Sequence, residues 1–64
     1  MVKINGKDVE AGGKTLNEYL QIANYDSRTI VIELNEEIVP KAQYDDTILQ
    51  DGDVVEIISF MGGG

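Results

Sequence analysis

The sequence predicts an α+β fold in which one helix packs across a mixed β-sheet. Three observations predict it. Asn5-Gly6 sits between two short runs that alternate apolar and polar residues. Thr15 and Glu18 have the spacing of a helix start and lead into apolar residues at helical intervals. Val54 to Phe60, near the end of the chain, is apolar at most positions. A hairpin before one helix and strands after it, without repeated strand–helix alternation, is the α+β pattern.

The hairpin comes first. Asn-Gly is the preferred pair for a two-residue type I′ turn, because both positions need positive φ. Such a turn in "VKINGKDV" sets Ile4 opposite Lys7, Lys3 opposite Asp8 and Val2 opposite Val9. Side chains alternate across a strand. Val2, Ile4 and Val9 therefore share one face, and Lys3 meets Asp8 on the other.

Gly12-Gly13 ends the second strand, and "TLNEYLQIA" follows. Thr15 and Glu18 form a capping box, each side chain accepting from an unpaired amide of the first turn. Leu16, Tyr19, Leu20 and Ala23 make one apolar stripe. About two turns of helix are marginal alone, so the stripe must lie on the sheet.

In "TIVIEL", Ile30, Ile32 and Leu34 point one way. A polar turn at Asn35-Glu36-Glu37 leads to a short strand at Ile38-Val39, halted by Pro40. Proline has no amide hydrogen to give a ladder, which suits a sheet edge. Lys41 to Leu49 reads as an irregular connection anchored by Tyr44, Ile48 and Leu49, and Asp51-Gly52 is a second tight turn. The apolar run Val54–Phe60 has the pattern of a central strand buried on both faces. Placed parallel to the first strand with the helix across the sheet, it completes a β-grasp, the ubiquitin-like architecture. The division expected is a β-grasp domain over 1–60 and a flexible glycine tail over 61–64.

Composition narrows the chemistry. The 64 residues include no cysteine and no histidine. Thiol nucleophiles, thiolate ligands and the usual neutral-pH proton shuttle are therefore missing, and no catalytic or metal-binding residue is expected. The net charge of -7, from 12 acidic and 5 basic residues, disfavours nucleic acid as a partner. The acids Glu33, Glu36, Glu37, Asp45, Asp46 and Glu56 can steer docking toward a basic protein. No apolar run approaches the ~20 residues that cross a bilayer, and the start does not read as a secretory signal. With no cysteine, a reducing cytoplasm is the expected compartment.

The chain closes on "VVEIISFMGGG". Glycine passes narrow channels and adopts backbone angles closed to other residues. Fully extended, Met61 to Gly64 reach about 13 Å at ~3.3 Å per residue, far enough to thread a buried active site. Phe60 and Met61, closest to that tail, are the candidates for partner docking, with Phe60 equally suited to the core.

"NGK", "NEEIVP", "DGDVVEIISF" and the final "GGG", in this order and spanning the chain, resemble the ThiS family of sulfur carriers. The resemblance implies a protein that is a substrate rather than an enzyme and holds no permanent cofactor. A ubiquitin-activating-like adenylyltransferase uses ATP to adenylate the carboxylate of Gly64. Sulfur from a cysteine desulfurase or another source then makes a thiocarboxylate, and thiazole synthase takes the sulfur into the thiazole of thiamine. Gly62 and Gly63 would thread the partner's active site. Two alternatives stay open on the residues: a carrier for molybdopterin synthesis or tRNA thiolation, with the same tail chemistry, and a β-grasp interaction domain with idle glycines.

Overall fold

The structure is a computed structural model and describes residues 1–60. The expectations for Met61, Gly62, Gly63 and Gly64 lie outside the described residues. Strands β1 (Val2–Ile4) and β2 (Lys7–Val9) join through Asn5 and Gly6 at φ 51° and 82°, the two positive values a type I′ turn requires. Their register is the one the turn dictates: Val2 to Val9, Lys3 to Asp8 and Ile4 to Lys7. Val2 and Ile4 are buried, Val9 packs against the core, and Lys3 Nζ lies 3.8 Å from Asp8 on the exposed side.

Helix α1 (Leu16–Ile22) begins with the reciprocal cap. Thr15 Oγ1 accepts from the Glu18 amide at 3.1 Å, and Glu18 Oε1 accepts from the Thr15 amide at 2.8 Å. Two further first-turn amides, which have no partner inside a helix, donate to the carbonyls of Thr47 (2.9 Å) and Tyr44 (3.1 Å). At the other end Asn24 takes φ 63°. There the Tyr25 amide donates to the Leu20 carbonyl at 2.8 Å, and the Asn24 amide to Gln21 at 3.3 Å. This is a Schellman closure with asparagine in the usual glycine place. Leu16 and Leu20 are buried and Tyr19 packs against them. Ala23, expected on the same stripe, is exposed, because it caps the helix one residue before the chain reverses.

Strands β3 (Ile30–Leu34) and β4 (Glu37–Val39) make the second hairpin. The turn between them is Asn35-Glu36 alone, at φ 51° and 72°; Glu37, expected in the turn, belongs to β4 and pairs with Leu34. Strand β5 (Val54–Ser59) runs parallel to β1 and antiparallel to β3, giving the order β2-β1-β5-β3-β4 with β4 at an edge. Short 3-10 turns at Ser27–Thr29 and Lys41–Gln43 precede β3 and follow β4.

Two further expectations are corrected. In the connection, Tyr44 and Leu49 are buried, but Ile48 is 56% exposed. Leu49 faces inward, and alternation sends its neighbour out. Strand β5 is central, yet only Val55 and Ile57 are buried, while Val54 and Ile58 are 46% and 45% exposed. The single helix covers one face of the sheet, and no element among the described residues covers the other. Val2, Ile4, Ile30, Ile32, Val55 and Ile57 from the covered face, with Leu16, Leu20, Tyr44 and Leu49, form the core.

Candidate functional site

The sequence points to the end of β5 and the residues after it, so the question is what fixes that strand. Along one side β3 pairs with it from Leu34–Val55 to Ile30–Ser59, and the Phe60 amide donates to the Thr29 carbonyl at 3.1 Å. Along the other side β1 reaches only the first residues, with pairs Lys3–Val54 and Ile4–Val55. Two asparagine side chains complete the grip. Asn5 Oδ1 accepts from the Ile57 amide at 2.8 Å, carrying the ladder past the end of β1. Asn35 Oδ1 accepts from the Val54 amide at 2.9 Å, its own amide donates to the Val54 carbonyl at 2.8 Å, and its Nδ2 donates to Asp53 at 3.1 Å.

Each hairpin turn thus reaches sideways and holds β5. A slip of one residue would exchange the strand's two faces and move its end by about 3.3 Å. The two asparagines oppose that slip, so the point where the chain leaves the sheet is fixed. Sequence reasoning missed this role. The turn positions were readable, but the target of each side chain lies 52 residues away for Asn5 and 19 for Asn35.

Phe60 sits just past β5 and is 55% exposed, which removes the core alternative for it. Lys41, on the turn after Pro40, places its ammonium 5.6 Å from the centre of the Phe60 ring, within cation–π range. Nearby, Arg28 donates to both carboxylate oxygens of Asp26 at 3.1 and 3.0 Å. Those hydrogen bonds from Arg28, with a smaller effect of Lys41, hold the Asp26 carboxyl below its ordinary value. Lys41 also had no signal in the sequence, since its partner is distant in the chain. No helix among the described residues is long and apolar enough to cross a membrane.

The profile of the ThiS family matches residues 1–64. The chain belongs to the ThiS family. Among its relatives, the sulfur carrier protein ThiS of Bacillus subtilis (strain 168) is 36% identical over 66 residues and covers 100% of both chains. A crystal structure of the thiamine biosynthesis protein ThiS from Geobacter metallireducens superposes with a TM-score of 0.79 at 33% identity, covering 98% of this chain and 97% of that one. A thiazole synthase of Paramagnetospirillum magneticum is 40% identical over 62 residues, which are 95% of this chain and 19% of that protein. The fold is the β-grasp of this ThiS family, and the chain is a sulfur carrier of thiamine biosynthesis.

Proposed function

We propose that this carrier transports sulfur as a thiocarboxylate on Gly64 and hands it to thiazole synthase, acting as a substrate of its partners and not as a catalyst, in the cytoplasm. The chemistry requires activation, because a carboxylate resists nucleophiles through its own negative charge. A partner adenylyltransferase joins the Gly64 carboxylate to the α-phosphate of ATP and releases pyrophosphate. The outer sulfur of a partner's persulfide, made through a cysteine desulfurase, then attacks the acyl carbon and AMP leaves. A second thiol of the partner cleaves the resulting S–S bond, so that a disulfide forms as the thiocarboxylate is released.

The observation that supports this reading most is the anchored β5, whose register is gripped from both sides as far as Ile57 and from the β3 side on to Phe60. Reacting atoms must come within about 3–3.5 Å of each other, and a tether can deliver an acyl carbon with that accuracy only from a root that does not slide. Glycine at 64 leaves the carbonyl carbon open to attack. Phe60, where the chain leaves the sheet, and Met61, next in the sequence, are the docking contacts in this reading. The absence of cysteine and histidine agrees with a chain that supplies no catalytic group of its own.

The test is intact-protein mass spectrometry after incubation with the adenylyltransferase, ATP and a sulfur source. The expected product is heavier by the difference between one sulfur and one oxygen. Gly64→Val should stop adenylation while the fold survives, and a residue added after Gly64 should do the same. A Gly64→Val chain that is adenylated normally would remove Gly64 from this role.

A further inference from the structure

The pair that closes the first hairpin carries a second chemistry. Asparagine followed by glycine is the sequence at which a chain most readily attacks itself. The backbone nitrogen of the glycine bonds to the side-chain carbonyl carbon of the asparagine, gives up its proton, and ammonia leaves. Water then opens the five-membered imide at either carbonyl. The product is aspartate or, with the backbone rerouted through the side chain, isoaspartate. Glycine favours the attack because it has no Cβ to crowd the nitrogen. Of the chain's four asparagines, Asn5, Asn17, Asn24 and Asn35, only Asn5 precedes a glycine.

Burial does not protect this pair. Asn5 and Gly6 are exposed, and a Cβ at Gly6 would meet no atom within 4 Å. Geometry does. The nitrogen must come within about 3–3.5 Å of the carbon it attacks, so it must lie on the same side of the Asn5 Cα–C bond as the side chain. At φ 51° Asn5 is left-handed, a conformation that sets the two on opposite sides of that bond. Two hydrogen bonds keep it there. The Asn5 amide donates to the Val55 carbonyl at 2.9 Å, and Oδ1 accepts from the Ile57 amide at 2.8 Å. The carbonyl that would be attacked is thus turned toward β5, and ring closure requires Asn5 to release that strand first.

We infer that Asn5 is a modification site that the folded turn keeps closed, and that opening of the hairpin converts it irreversibly to isoaspartate. The two products differ in effect. Aspartate keeps an oxygen for the Ile57 amide and tolerates positive φ. Isoaspartate adds one carbon to the backbone at the turn, so the register of β1 on β2 and the bond to Ile57 are lost together. One hydrogen bond therefore both fixes β5 and guards the residue that makes it. A chain that has been open carries a permanent mark at the point where β5 is held.

The test incubates the whole chain at neutral pH, folded in buffer and unfolded in guanidinium chloride, with peptide mapping that separates aspartate from isoaspartate. Each modified chain is heavier by the difference between a hydroxyl and an amino group. In the denaturant the change should fall on Asn5 and spare Asn35, whose attacking nitrogen belongs to Glu36. In the folded chain it should run more than about tenfold slower, since only the rarely populated open turn reacts. Hydrogen exchange of the Ile57 amide reads the consequence: fast in the purified isoaspartate form, and protected as in the wild type in Asn5→Asp. Equal rates in the folded and unfolded chains would overturn the inference, as would modification of Asn35 as fast as Asn5 in the denaturant. So would Ile57 exchanging alike in the isoaspartate form and in Asn5→Asp.

Discussion

Asn5-Gly6 and Asn35-Glu36 close turns of one kind, at φ 51° and 82° in the first and 51° and 72° in the second. In the first, glycine takes the second positive φ without steric cost. In the second, a glutamate is held in the left-handed region, which costs about 1–2 kcal/mol for a residue with a Cβ. The contacts run the other way. Both backbone amides donate to β5, Asn5 to the Val55 carbonyl at 2.9 Å and Asn35 to the Val54 carbonyl at 2.8 Å, but Asn5 adds one side-chain hydrogen bond where Asn35 adds two, to the Val54 amide and to Asp53. The first hairpin is therefore specified within eight neighbouring residues, Val2 to Val9. The second is a strained turn that its neighbour holds in place. The difference teaches that a β-turn can be encoded by its own two residues or by the strand it leans on.

Removing each asparagine should break that comparison where it is strongest. Asn5→Ala is expected to destabilise the domain by about 2–3 kcal/mol, since it strips the half-buried Ile57 amide of its acceptor and leaves alanine at positive φ. Asn35→Ala leaves alanine at the same φ of 51° but should cost less, about 1–2 kcal/mol, although it loses more side-chain bonds, because the Val54 amide is at the surface and water can replace the acceptor. Chemical denaturation measures both. Asn5→Gly separates the two causes: it restores the backbone freedom and keeps only the hydrogen-bond loss. A larger loss for Asn35→Ala than for Asn5→Ala would show that bond number outweighs burial here.

Glu36→Gly sharpens the same contrast with the opposite sign. Glycine relieves the left-handed strain, while it also makes the unfolded chain more flexible. The net gain expected is about 0.5–1 kcal/mol, read as a higher denaturant midpoint. The matching exchange in the first turn, Gly6→Ala, should lose a similar amount, although a Cβ there meets no atom within 4 Å. Only its φ of 82° is at fault.

How readable each region was follows from the same physics. The first hairpin, the Thr15–Glu18 cap and the edge strand before Pro40 each depend on residues a few positions apart, and all were legible. Asn35-Glu36 was read as a three-residue turn because glutamate carries no signal for positive φ. The run Val54–Phe60 reads correctly as a central strand, but its second apolar face also reads as buried, and Val54 and Ile58 are exposed. Apolar residues on both faces of a strand look alike whether a second layer or a partner covers them. At the candidate site the glycines lie outside the described residues, and Phe60, which reads as equally suited to docking and to the core, is exposed. The gripping asparagines and Lys41 were not legible, since each acts on a residue far along the chain.

The smallest expected effects sit on the open face, where the hairpins differ in charge. In the first, Lys3 faces Asp8 at 3.8 Å with both side chains largely exposed. In the second, Glu33 faces Ile38 on one side and Glu56 on the other. Each charge contact is worth about 0.2–1 kcal/mol, favourable for Lys3–Asp8 and unfavourable for Glu33–Glu56 across β3 and β5. Lys3→Gln should thus lower stability slightly and Glu56→Gln raise it slightly. Ionic strength distinguishes charge from packing, because screening shortens to about 3 Å at 1 M salt. Both differences from the wild type should shrink toward zero there. A Glu56→Gln gain that persists undiminished in 1 M salt would mean that the glutamate is disfavoured for its fit to the strand, and the repulsion between the two carboxylates would no longer explain it.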